Sequence, residues 1–341
     1  MRSTSRLRAL VTALGIVVAL AVASGCGSAS SPSNDGAAAA SGARDDQPRS
    51  GTASTPHRSP GTAPLLSPDA RRSFAALAGR VEGQLGLAVA PLGPGPVETV
   101  GDLPSGKAWS TMKVPVLLTL IRQLGGAHRL SAEQRSEAQA ALTRSDNRAA
   151  LALFGDLEAR DGGLVPASRA IQALLRRAGD PHTVVNTRPS PQGFTTFGQT
   201  DWSAAAATTF YRSLALGCLA PRSDTAYVLS LMRNIIAGER WGVGSAGYPP
   251  TTGLAFKGGW GPGPDGVYLV RQSAIVGKPG RGYAATIAAK PDVPGSSSFP
   301  AGVRMVTAAA RWLRRQLPPS GLQGYRPGTG GHPAAPCLRS G

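Results

Sequence analysis

The chain has 341 residues, 41% of them hydrophobic, and carries 36 Lys and Arg against 19 Asp and Glu, a formal charge of +17. The arginines are scattered rather than clustered with aromatics, which argues against a nucleic-acid partner. Three cysteines without metal-ligand spacing and four isolated histidines (His57, His128, His182, His332) argue against a zinc site and against a Ser-His-Asp triad, so no metal and no cofactor is expected.

In chain order, Arg2, Arg6 and Arg8 form a charged start, Ala9 to Ala23 an apolar run, and small residues lead to Cys26, the pattern of an export signal over residues 1–25. The run is too short and small-residued for a transmembrane span. Removing those 25 residues takes away three arginines and no acid, leaving +14, a charge suited to anionic lipids or wall polymers. The stretch Ala23-Ser24-Gly25-Cys26 resembles the lipobox of bacterial lipoproteins. That resemblance implies lipidation of Cys26 and an anchor on the outer face of the cell membrane; an ordinary secretory signal is the alternative. Residues 26–66, rich in Ala, Ser, Gly, Pro and Thr, read as a disordered tether because they bury too little to offset the entropy of ordering.

Residues 67–317 are long enough for one well-buried domain. Asp69 to Glu82 predicts an opening helix, and Leu85 to Ala90 and Val97 to Val100 predict two strands. Ser110 to Leu124 is apolar almost all round, as in a helix at the centre of a domain. Further helices are expected over Leu130–Arg144, Arg148–Leu157, Ala167–Ala178, Trp202–Leu216 and Thr225–Ala237. Leu254–Trp260, Val267–Val276 and Tyr283–Ala289 read as strands, and Gly302–Leu317 as a closing helix. Strands at both ends require one sheet assembled from the two termini. Residues 318–341 form a Pro/Gly-rich arm. Once Cys26 is assigned, Cys218 and Cys337 remain; an oxidising compartment would allow them to pair, and a free arm with two thiols is the other possibility.

Three motifs follow in order: Ser110-Thr111-Met112-Lys113, Ser145-Asp146-Asn147 and Lys257-Gly258-Gly259. Of the 36 basic residues only five are lysines, and two of these sit in the motifs, where arginine could not give up a proton. Ser110 and Lys113 share one helix face, so the amine can reach the hydroxyl, and the helix start favours a developing anion. Burial would lower the Lys113 pKa and supply a base. The plain alternatives are a Ser cap with an exposed lysine at the first motif and simple helix capping at the second.

These motifs resemble those of class A β-lactamases and penicillin-binding DD-peptidases, over roughly Asp69 to Leu317. The resemblance implies a mixed α/β, three-layer fold, with a five-stranded antiparallel sheet, flanking helices and an all-helical lobe. It also implies roles: Ser110 as nucleophile, Lys113 as base, Ser145 as proton relay, Asn147 and Lys257 as substrate contacts, and an oxyanion hole from the Ser110 and Trp260 N–H groups beside Gly259. Three departures stand out. Only 35 residues separate Ser110 from Ser145, so the wall built by that segment in class A enzymes is missing. Gly258 replaces a Ser or Thr. Arg188 and Asp201 are the candidates for closing the neck of the Ω-loop, but Ser190 then stands at the position of the deacylating glutamate. The expectation is an exported, monomeric serine hydrolase or acyltransferase acting on a cell-wall peptide, ester or β-lactam-like substrate, with weak or no β-lactamase turnover. An inactive binding or scaffold lipoprotein on the same fold is the alternative.

Overall fold

The computed structural model describes residues 64–190, 193–318 and Cys337. The chain divides into two units, Met1–Pro56 and His57–Gly341, and every described residue belongs to the second. The export signal, Cys26 and the tether up to residue 63 lie outside the described residues, as does the arm beyond Pro318 except for Cys337.

Leu65 and Leu66, at the end of the expected tether, are docked: both backbone N–H groups donate to the Glu98 carboxylate, and the Leu66 side chain is buried. Ser67 caps α1 (Pro68–Ala78) by accepting from the Ala70 N–H. The helix stops short of Glu82 because Gly79 takes the C-cap and β1 (Gly83–Pro91) already begins at residue 83. After β2 (Glu98–Gly101) and β3 (Ser105–Lys107), a 3-10 turn over Trp109–Met112 leads into α2 (Lys113–Leu124). There follow α3 (Ala132–Thr143), α4 (Asn147–Asp161), α5 (Leu164–Arg177), β4 (Asp201–Ser203), α6 (Ala204–Ala215) and α7 (Arg222–Arg233). The chain then forms β5 (Ala255–Pro262), β6 (Tyr268–Lys278), β7 (Arg281–Pro291) and α8 (Ser298–Gln316). Trp202, expected in a helix, lies in β4 instead: its strand pairs with β3, and Ser203 caps α6 only after it.

The main sheet is five-stranded and antiparallel, in the order β2-β1-β7-β6-β5. Side chains alternate between its faces. On β7, Tyr283, Ala285, Ile287 and Ala289 join a core with α1 and α8, where Phe74 meets Trp312 edge-on at 4.9 Å. Ala284 points to the other face, into a core built from α2 to α7. The fold is therefore mixed α/β, with a helical lobe on one side of the sheet. Within that lobe α2 is buried from Lys113 to Ile121.

Two long-range ties join distant parts of the chain. Arg271 on β6 is fully buried and donates to the carbonyls of Gly106 and Trp202, joining the main sheet to the β3–β4 pair. Cys218, just after α6, is bonded to Cys337 with Cα atoms 5.0 Å apart.

Candidate active site

The site forms where the N-terminal end of α2, the turn before α4 and the edge strand β5 meet. A Cβ at Gly259 would stand 2.7 Å from the Ser110 nitrogen and 3.0 Å from that of Thr111, so only glycine lets the strand pass this close to the helix start. Ser110 sits on the 3-10 turn rather than in the α-helix, which starts at Lys113. Trp109 before it has φ 46°, and Ser145 has φ 58°, a region that non-glycine residues enter at a cost of roughly 1–3 kcal/mol each. Both strained residues line the same cavity.

Lys113 and Lys257 are each 1% exposed. The Lys113 amine donates to the Ser145 carbonyl (2.5 Å) and to Asn147 Oδ1 (2.8 Å). The Lys257 amine donates to Ser145 Oγ (2.8 Å) and to the Gly258 carbonyl (2.9 Å). Burial, then the charge of Lys257, lowers the Lys113 pKa to about 6 against the opposing pull of Asp146 and Glu239. Burial lowers that of Lys257 to about 8, with Glu239 pulling it back up. Near neutral pH Lys113 is therefore mostly uncharged. A neutral amine has two N–H bonds, both engaged here, and one lone pair left over. Among the described residues Ser110 Oγ has no hydrogen-bond partner.

The second motif combines both of its readings. Asp146 caps α4 by accepting from the Ala149 N–H at 2.9 Å, and its neighbours meet the lysines, Ser145 at both amines and Asn147 at that of Lys113. Asn147 Nδ2 also donates to the Gly193 carbonyl at 3.0 Å, tying α4 to the long loop between Asp180 and Trp202.

That loop differs from the expectation. Asp201 pairs with Lys107 across β3–β4 at 2.8 Å, not with Arg188. The loop neck is closed instead by Asp180, which accepts from Trp202 Nε1 and from the backbone N–H groups of His182 and Thr183. Ser190 is not among the cavity-lining residues; the loop contributes Gly193, Phe194 and Thr195.

The cavity encloses about 180 Å³ between Trp109, Ser110, Ser145, Asn147, Glu239 and Trp260 together with those three loop residues. Glu239, at the end of a 3-10 turn after α7, is the one acid among the described lining residues. Sequence reasoning missed it, since a single acid in a polar turn carries no period or spacing. Gln272 holds the adjoining segment, accepting from the Val243 N–H and donating to the Trp241 carbonyl. The Trp241 ring fills the space beside Gly258, where a Cβ would stand 2.5 Å from it. Among the described residues, no group of three or more His, Cys, Asp or Glu side chains is placed to hold a metal ion.

No family model matches the chain, and no curated protein matches it by sequence. Solved structures do match by shape. A β-lactamase from Streptosporangium roseum aligns over 74% of this chain and 100% of its own at TM-score 0.56 and 17% identity. One from Xanthomonas campestris aligns over 73% and 97% at 0.55 and 22%. An ancestral class A β-lactamase aligns over 72% and 99% at 0.54 and 20%. With the five-stranded antiparallel sheet and the helical lobe, these likenesses establish that the chain has the β-lactamase/transpeptidase-like fold.

Proposed function

We propose that the chain is an exported serine hydrolase or acyltransferase that forms an acyl-enzyme at Ser110. The observation that carries this reading is the convergence of three sequence-distant motifs: Lys113 bonded to Ser145 and Asn147, Lys257 bonded to Ser145 Oγ, and Gly259 against the Ser110 nitrogen. In this reading the Lys113 lone pair takes the proton of Ser110 as Oγ attacks an ester or amide carbonyl. The Ser110 and Trp260 N–H groups hold the oxyanion. Ser145, kept in place by the Lys257 ammonium, then gives its proton to the departing oxygen or nitrogen and is reprotonated by Lys113, so that alcohol or amine leaves, Lys113 is neutral again and the acyl group stays on Ser110.

Water must next release the acyl group, and the loop from Asp180 to Trp202 has no glutamate to activate it. The reading is therefore of ready acylation and slow turnover on a cell-wall peptide, ester or β-lactam-like substrate. Mass spectrometry after exposure to a fluorophosphonate probe tests it: the wild-type domain should gain one adduct on Ser110, and Ser110→Ala none. Equal labelling of the variant would refute the site, and absence of labelling in both would favour a binding or scaffold role. Export and anchoring through a lipid on Cys26 rest on the N-terminal pattern; Cys26→Ser should release the protein from membranes, and wild-type chain found free with an unmodified N-terminus would refute the anchor.

A further inference from the structure

The walls of the cavity have a composition that the acylation chemistry does not require. Three aromatic residues, Trp109, Phe194 and Trp260, stand around it, Trp109 and Phe194 with ring centroids 5.6 Å apart. Trp260 is 40% exposed, and its ring packs against Phe299 at 4.5 Å. The only formally charged side chain among the described lining residues is Glu239, in a chain whose net charge is +17. Among the described residues Glu239 forms no ion pair; the neighbouring Arg240 lies over the Phe256 ring and donates to the Arg233 carbonyl instead. The two lysines near the site direct their N–H groups at protein oxygens, Lys113 at Ser145 and Asn147, Lys257 at Ser145 and Gly258, and neither lines the cavity. Gly258 offers no hydroxyl, and the Trp241 ring occupies the space that the Cβ of any other residue would need. An anionic substrate group would thus meet a carboxylate and aromatic side chains. An organic cation would meet favourable charge and polarisable aromatic walls together.

We infer that Glu239 and the aromatic walls select substrates whose acyl chain carries an ammonium or guanidinium group, and disfavour those carrying a carboxylate. The inference rests on the acyl-enzyme reading for its substrate class, since the cationic group is placed by the same ester or amide that Ser110 attacks. Glu239 acts in it as a specificity residue that touches substrate, not as the base of the reaction. Lys113, mostly uncharged near neutral pH, adds little positive charge to oppose Glu239, while Lys257 keeps its charge there but turns its amine to Ser145 and Gly258.

Three p-nitrophenyl esters of nearly equal shape separate the possibilities: those of aminocaproic, caproic and adipic acids, which end in an ammonium, a methyl and a carboxylate. The measurement is the acylation burst, corrected with Ser110→Ala. In wild type the aminocaproyl ester should acylate at least about tenfold faster than the adipoyl ester, a difference of about 1.4 kcal/mol. Glu239→Gln should shrink that ratio to about threefold or less, and Glu239→Lys should invert it, with circular dichroism showing both variants folded. An unchanged ratio in folded Glu239→Gln overturns the inference, even if the variant slows release of the acyl group. The caproyl ester judges the underlying reading separately, because its burst on Ser110 does not depend on charge. If no ester acylates Ser110, binding of the aminocaproyl and adipoyl amides to Ser110→Ala, followed by NMR titration, decides the charge preference: tighter amine binding that is lost in Ser110→Ala/Glu239→Gln supports it, and equal binding overturns it.

Discussion

Lys113 Nζ lies 2.8 Å from Asn147 Oδ1, so the residue proposed to activate the nucleophile is held by one proposed to hold the substrate. Asn147 in turn donates to Gly193 on the loop that walls the cavity. Base, substrate contact and wall therefore form one chain of hydrogen bonds, and disturbing any member should be felt at Ser110.

The pH dependence of acylation should report both lysines. Below a pKa of about 6 Lys113 is protonated and cannot accept the Ser110 proton, so the rate should climb as pH rises through that value. Above a pKa of about 8 Lys257 loses the charge that orients Ser145, so the rate should fall again. Stopped-flow acylation by a neutral ester from about pH 5 to about pH 9 checks this. A profile flat across the lower limb would remove Lys113 from the role of base.

Stability should show the same lysine with a defined sign. The Lys113 pKa falls from 10.5 to about 6 on folding. Below about 6 both states hold the proton, and burying the charge opposes folding in full. Between the two values the unfolded chain holds a proton that the native state has released, so stability rises with pH, by at most about 1.4 kcal/mol per pH unit. From about 6 to about 8 Lys113 supplies this rise before Lys257 begins to add its own. Lys113→Met should flatten that interval in urea melts compared with wild type. Parallel curves for the two proteins would contradict the assigned burial cost.

Gly259→Ala should damage acylation more than stability. The added methyl would press on the Ser110 and Thr111 nitrogens, moving the helix start by tenths of an ångström relative to β5. Because an oxyanion site depends on such distances, acylation should drop by roughly 10²-fold. A variant that acylates within a fewfold of wild type would show that Ser110 and β5 do not cooperate in the proposed way.

Turnover should stall after the first step. A chromogenic β-lactam should give at most one equivalent of product and then near silence, because loss of a general base typically costs on the order of 10²- to 10⁴-fold. Sustained hydrolysis would identify another base for the second step, and Glu239, the acid lining the cavity, would be the first to test.

The helix and strand centres were legible because their apolar patterns run over many residues: α2 is buried along most of its length, and β6 and β7 each span eleven residues. The three-residue strands β3 and β4 were not, since a piece that short has no period, and Trp202 was drawn into the helix that follows it. At the site, Ser110, Ser145, Lys257 and their neighbours carry local spacing that can be read. Glu239 carries none, and its place depends on the Trp241 segment being held by Gln272 on a strand far along the chain. The loop neck was misassigned for a similar reason: whether Asp201 meets Arg188 or Lys107 depends on the β3–β4 pairing, not on spacing within the loop.

The Trp241 ring beside Gly258 also constrains how this sequence can change. A Ser or Thr at 258 is a small step in the gene but collides with the indole at 2.5 Å. Shrinking Trp241 first, to alanine for instance, would leave a void of the kind that costs about 3–5 kcal/mol, a large share of a domain's stability. Neither order offers an easy intermediate, so the two positions are epistatic, and descendants of this chain can gain a hydroxyl there only by changing both residues or by first accumulating stability elsewhere.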